Sequence, residues 1–372
     1  MAFQFQAIGA LSPYYRETFG FSLADIGVLI GLYFAPGLAL ALPGGALGRR
    51  FGDKRMVLVG FGLMIAGGVL MAAAHDYPAQ VAGRLTAGVG GILLNVLMSK
   101  MVADWFVGRE ISLAMSIFTN SWPLGIALAL ITLPLSAEAM DIFGALWVVA
   151  GLTVAGFLFM ALGYRPPKGA APAGSLDITR LAGPALYAAI WAGAIWGLYN
   201  VALTIVFSFG PELFIARGWN PAEAGSATSI VLWMLAIGSP LAGLLADRSG
   251  RRNLVLVAGL TLFGASLALG ALGVGDMLTL IVLIGAASGF AVGPMMSLPA
   301  AVLSASQRAM GMGVFFTMHY VCSLIGPVVA GALADATGGV EATFWLAAAC
   351  NVAAVLCLVP YRSIAARAPK PA

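Results

Sequence analysis

The sequence predicts an all-α membrane protein of twelve spans, built as two pseudo-symmetric six-helix bundles. Two observations predict it. Hydrophobic residues are 61% of the chain, charged residues 9%, and mean hydropathy is +0.97. A water-soluble fold could carry that balance only by exposing large apolar patches, so the bilayer is the solvent for most of the chain. A short basic loop also occurs twice: Gly45-Ala-Leu-Gly-Arg-Arg-Phe-Gly-Asp-Lys-Arg55 returns 198 positions later as Gly243-Leu-Leu-Ala-Asp-Arg-Ser-Gly-Arg-Arg-Asn253, each copy between long apolar runs.

Runs long enough to cross about 30 Å of hydrocarbon lie at 22–48, 56–74, 78–103, 110–133, 142–163, 184–209, 222–246, 254–273, 277–304, 309–335 and 341–360, after an opening segment from Met1 to Tyr15. None shows the alternation of a membrane barrel strand. The 48 glycines suit helices that approach closely in lipid. If both repeated loops face the cytoplasm, all 19 Lys and Arg except Arg16, Arg217 and Arg84 lie on that side. That asymmetry sets the orientation, with the C-terminus and the central linker cytoplasmic and the protein multi-pass in the inner (plasma) membrane. The pI near 9.1 therefore reflects topology and calls for no nucleic acid.

The polar stretch beginning at Arg165 divides the chain into an N-terminal bundle at 1–163, a linker at 164–183 and a C-terminal bundle at 184–372. At the offset of 198, Met1 aligns with Tyr199, midway along the seventh span. The first helix is accordingly expected to lack its N-terminal half. Cys322, Cys350 and Cys357 all lie in apolar runs, without metal or disulfide spacing, and are expected to pack as small hydrophobes. No metal and no cofactor is expected.

The two loops resemble the signature loop of the major facilitator superfamily, G-x-L-a-D-r-x-G-r-[RK]. The second copy matches through Gly243, Asp247, Arg248, Gly250, Arg251 and Arg252. The first keeps Gly45, Leu47, Arg50, Gly52 and Lys54 but has Arg49 where the family has Asp, with Asp53 four positions on as a possible substitute anion. Arg84-Leu-Thr-Ala-Gly88-Val-Gly90-Gly91 resembles the family's fourth-span motif, and Gly326-Pro-Val-Val-Ala-Gly331 its glycine–proline motif. Phe3–Pro13 is similar to the branch of nitrate/nitrite and cyanate permeases. The resemblance covers the whole chain and implies alternating access around a site near the bilayer midplane. It gives the basic loops a gating role at the cytoplasmic side; the plainer reading is that their charges only set topology.

An ionisable group inside a span is costly and marks a candidate site. Arg84 either binds or couples an anionic solute through its fork of donors, or is a structural arginine satisfied by carbonyls at a helix kink. His319 is either a proton relay or solute contact, or a packing histidine. Gln4, Gln6, Tyr33, Asn120, Tyr199, Asn200 and Trp233 also fall at mid-membrane depth and complete the candidate set, each balanced against a plain interhelical contact. Asp and Glu, Glu212 among them, fall at the outer ends of spans or in loops. Gly285, Gly289 and Gly293, and Gly193 with Gly197, read as packing faces.

The expected function is secondary active transport of a small organic or inorganic anion, coupled to protons or to exchange, by a monomer. Drug or metabolite efflux is the alternative within that class. A non-transporting sensor on the same fold is the alternative outside it. No nucleotide loop or nucleophile–base set points to an enzyme.

Overall fold

The regular elements are all α-helices, and proline decides where the first ones break. The computed structural model describes residues 1–40, 47–48, 50–106, 111–165, 181, 183–299, 302–303 and 307–366. Met1–Leu176 and Asp177–Ala372 form two compact units. In the first, α1 (Ala2–Ala10) and α2 (Ser12–Phe19) meet at Leu11, where φ is −102° and ψ 8°. Pro13 offers no N–H to the preceding turn, and its ring crowds the carbonyl four residues back. A capping box starts α3 (Leu23–Leu32): Ser22 Oγ accepts from the Asp25 N–H, and the Asp25 carboxylate accepts from the Ser22 N–H. Pro36 then ends it. The N–H groups of Phe34 and Ala35 donate three residues back, to Gly31 and Leu32, a tighter turn than the α-helix, before α4 (Gly37–Leu40). The run expected as one span at 22–48 is thus broken at 33–36.

Four longer helices complete this unit: α5 (Asp53–Ala73), α6 (Tyr77–Phe106), α7 (Ile111–Met140) and α8 (Ile142–Gly163). A single residue, Asp141, joins α7 to α8 at φ 129°, with its carboxylate accepting from the Gly144 N–H at 2.7 Å. The second unit comprises α9 (Gly183–Ile215), α10 (Pro221–Ser249), α11 (Arg252–Leu272), α12 (Met277–Ser297), α13 (Arg308–Thr337) and α14 (Glu341–Ala365). Asn220 caps α10 and Asp276 caps α12 by accepting from backbone N–H groups. The bonds from Thr279 hold the Asp276 carboxyl below its usual range. Eleven described segments are long and apolar enough to cross a membrane.

The duplication shows in both helix starts and packing. Shifted by 198, α5 to α8 begin within two residues of α11 to α14. In the first unit α1 packs on α7, and α5 on α6 and α8; in the second α9 packs on α13, and α11 on α12 and α14.

Lipid tails are as apolar as leucine, so close packing has to hold these helices together. Glycines seven residues apart provide it. A Cβ on Gly67 or Gly90 would strike the carbonyls of Gly83 and Gly60 respectively, so α5 and α6 touch backbone to backbone. Below this contact Val57, Phe61, Met64, Leu93, Leu97 and Met160 make one apolar cluster. In the second unit Gly289 and Gly293 lie against Gly238 and Gly243, with a Cβ brought to 3.1 Å and 3.2 Å of them. Gly90→Ala is expected to destabilise the protein by about 1–3 kcal/mol through overpacking, read as a lower thermal midpoint in detergent. Gly62→Ala, on the same pair of helices but with nothing within 4 Å of its Cβ, stays within about 0.5 kcal/mol of the parent. Equal midpoints for the two variants would refute the backbone contact.

Candidate functional site

Arg84 is fully buried on α6 and is satisfied by main chain. Its Nε donates to Leu29 O at 2.8 Å, Nη1 to Gln4 O at 3.0 Å and Nη2 to Phe5 O at 2.5 Å. Leu29 O is available because α3 breaks just beyond it: the Tyr33 N–H is directed to Gly31 instead. The guanidinium also lies over two rings, 4.6 Å from the centroid of Tyr33 and 5.4 Å from that of Phe5, a favourable desolvated cation–π arrangement. Gly88 and Gly91, on the same face of α6, leave room for Tyr33: a Cβ at Gly88 would lie 2.6 Å from its carbonyl oxygen, and one at Gly91 would strike its hydroxyl. The Arg84–Gly88–Gly91 pattern is therefore a seat for Tyr33 and a clamp joining α1, α3 and α6. Of the two roles the sequence leaves open, the described geometry of Arg84 is that of carbonyl satisfaction.

Gln4, Gln6 and Tyr33 are buried around this clamp. Gln4 Nε2 donates to Met64 O at 2.8 Å, while its Oε1 and the Tyr33 hydroxyl have no partner. Gln4 also borders a water-sized cavity with Ala7, Gly68, Met71, Leu146 and Val149. Asn120 is partly exposed on α7, two residues before Trp122, whose ring meets Phe5 at 5.4 Å.

Of the first basic loop, Gly45 and Arg49 lie outside the described residues. Asp53, at the start of α5, pairs with Lys100 at 2.5 Å, and Lys100 also pairs with Asp104 at 2.9 Å. Lys54 donates to Ala161 O and Tyr164 O, at 2.8 Å and 2.7 Å, on the last turn of α8. A cation there complements the helix dipole. Asp53 and Lys54 thus bind α6 and α8 of their own unit. Gly52 has φ 90°, and Arg50 is exposed beside the Phe51 ring. In the second loop Gly250 ends α10 at φ 63°, a left-handed cap. Arg248 and Arg251 are exposed, Gly243 faces Gly293, and the side chain of Asp247 lies outside the described part.

In the second unit three glycines bring α9 against α13. A Cβ on Gly193 would lie 2.8 Å from Phe315 O, one on Gly197 2.6 Å from Cys322 Sγ, and one on Gly326 2.6 Å from Val201. The approach gathers Trp196, Tyr199, Phe315 and His319. Trp196 stacks near Tyr199 (5.8 Å, 25°) and Phe315 (6.1 Å, 23°), with His319 at 6.2 Å. Tyr199 is buried and donates to Ser288 O at 3.0 Å. Asn200 Nδ2 donates to Trp196 O at 2.7 Å, and His319 Nδ1 lies 3.3 Å from Ser323 Oγ. Trp196 Nε1 is out of solvent and has no acceptor, which costs about 1–3 kcal/mol. Trp196, Asn200 and His319 are each partly exposed.

Two points go beyond the sequence reading. Trp196 is absent from its candidate set yet sits at the centre of this cluster, whereas Trp233 is 38% exposed on α10 and outside these ring contacts. Glu212, placed by sequence among the outer ends and loops, lies three residues before the end of α9 and is 4% exposed. It is the one buried charged side chain among the described residues of this unit. Asn200, Thr204, Ser208 and Glu212 recur every fourth residue along α9, and the Ser208 hydroxyl has no partner.

The family model of the Major Facilitator Superfamily matches residues 1–214 and 185–372. The chain belongs to the major facilitator superfamily. Among superfamily members, the 3-(3-hydroxy-phenyl)propionate transporter of Escherichia coli is 28% identical over 356 residues, 91% of this chain and 85% of that protein. The inner membrane transport protein YajR of the same organism is 26% identical over 152 residues, 41% of this chain, and the match spans only 33% of YajR. The structure of a D-xylose–proton symporter superposes with a TM-score of 0.78 over 95% of this chain and 93% of that one, at 15% identity. The chain is accordingly a multi-pass membrane protein with the superfamily fold.

Arg84→Lys keeps the charge but cannot reach three carbonyls at once. It is expected to lower stability in detergent by about 2–4 kcal/mol while leaving the KM of a transported solute unaltered. Normal stability with a raised KM would instead assign Arg84 to the solute.

Proposed function

We propose that this protein is a secondary transporter for a small organic anion, which it moves together with a proton by alternating access. The observation that carries this reading is the cluster of Trp196, Asn200 and His319. It lies far from the ends of α9 and α13, is partly exposed, and keeps a hydrogen-bond donor unspent. Tyr199 braces it. Gln4, Gln6, Tyr33 and Asn120 supply the polar groups of the N-terminal unit, and Arg84 holds their helices together. The two loops centred on Arg49–Asp53 and Asp247–Arg251 act as gates on the cytoplasmic side, where the linker and C-terminus also lie. The anionic solute class is supported by the name of the 3-(3-hydroxy-phenyl)propionate transporter, which is similar over most of both chains.

Glu212, buried, and His319, partly buried, are the proton carriers in this reading. The test is uptake into proteoliposomes of labelled organic acids, nitrate and cyanate, with and without an inwardly directed proton gradient. The expected result is accumulation that needs the gradient. Glu212→Gln is expected to abolish accumulation but keep solute counterflow, and His319→Gln to reduce both. Full gradient-driven accumulation in both variants would show that protons are not carried by these groups, and accumulation driven by an opposing anion alone would identify an exchanger.

A further inference from the structure

Deepening the organic-anion reading and resting on it, we infer that the solute is a flat, ring-bearing monocarboxylic acid, held by Trp196. The cluster offers ring surface in quantity and hydrogen bonds sparingly. Trp196 and His319 present partly exposed rings, and Tyr199 and Phe315 are buried against Trp196, the three neighbouring centroids lying 5.8–6.2 Å from its own. Three polar groups around it are engaged within the protein: Tyr199 Oη with Ser288 O, Asn200 Nδ2 with Trp196 O, His319 Nδ1 with Ser323 Oγ. The Trp196 indole N–H, by contrast, has no acceptor.

That inventory discriminates between classes of organic acid. A polyhydroxylated acid brings several hydroxyls that each need a partner once out of water, and a site that cannot supply them rejects it strongly. A bare inorganic anion finds neither a fixed cation nor several donors. An aryl acid matches both features: its ring lies against the partly exposed faces of Trp196 and His319 in an offset or edge-on contact, and, once the indole edge is uncovered, one carboxylate oxygen accepts from Trp196 Nε1. The same arrangement explains why α9 carries Gly193 and Gly197 on either side of Trp196. Any side chain there would push α13, and with it Phe315 and Cys322, away from the indole.

The experiment is competition in proteoliposomes of the full chain, with labelled benzoate as the reporter and 3-phenylpropionate, gluconate, lactate and nitrate as competitors. The expected order is strong competition by 3-phenylpropionate and none by the other three at equal concentration. Trp196→Phe keeps ring surface but lacks the donor, and is expected to raise the KM for benzoate on the order of tenfold, the worth of one hydrogen bond. Trp196→Leu loses ring and donor and raises it further. Gel filtration and thermal midpoint confirm that both variants are folded, and should Trp196→Leu fail that check, Trp196→Phe alone decides the role of the donor. Gluconate, lactate or nitrate transport without benzoate transport overturns the ring-acid assignment while leaving a transporter. No uptake of any of the five overturns the transport reading itself. A parental KM in both Trp196 variants overturns the role of Trp196 alone.

Discussion

In a bilayer the helices of this protein gain little by hiding apolar side chains from one another, so everything depends on how closely their backbones approach. Glycine sets that distance. Gly60 and Gly67 meet Gly90 and Gly83 between α5 and α6, and Gly193, Gly197 and Gly326 line the contact of α9 with α13. Each contact then places a polar residue. The first brings α6 into register so that Arg84 can reach α1 and α3; the second draws His319 and Phe315 up to Trp196. A methyl group at either crossing would displace Arg84 or the Trp196 cluster without touching them.

Arg84 illustrates how a buried charge becomes tolerable in such a setting. Its desolvation is offset by three charge-assisted hydrogen bonds to carbonyls and by two aromatic faces. Main-chain carbonyls inside helices are normally spent on the helix itself. The break that Pro36 imposes on α3 releases Leu29 O, and the α1 carbonyls of Gln4 and Phe5 are shared. A proline and an arginine 48 positions apart in sequence thus form one structural device.

Membrane class, repeat and helix order were legible in the sequence because they rest on long-range regularities: hydropathy, charge asymmetry and the offset of 198. Arg84 could be singled out because an ionisable group in an apolar run is conspicuous, but its partners could not be read, since carbonyls carry no sequence signature. Trp196 was passed over for the opposite reason. A tryptophan in an apolar helix looks like packing, and only the missing acceptor at Nε1 marks it. Glu212 is placed by sequence at the outer end of a span, and position near a helix end says nothing of burial. The structure buries it beneath its own unit, a consequence of a 33-residue helix whose tip remains covered by neighbours. Asp53 was noticed as a stand-in for the anion missing at position 49; its pairing with Lys100, 47 positions away, depends on the glycine contacts that align α5 with α6.

The two units share a helical plan but divide their polar chemistry unequally. In the first, the buried cation is bound on three sides and the basic loop is anchored through Asp53 and Lys54 to α6 and α8. In the second, Arg248 and Arg251 stand exposed, Trp196 Nε1 and Ser208 Oγ lack partners, and a carboxylate is buried at Glu212. Unspent hydrogen-bonding capacity is what a solute or a proton can use, because a group already satisfied has little to gain when a ligand arrives. Among the described residues both units keep such capacity, at Gln4 Oε1, Tyr33 Oη and Asp53 Oδ1 in the first and at Trp196 Nε1, Ser208 Oγ and Asn351 Oδ1 in the second, so a ligand can gain from either.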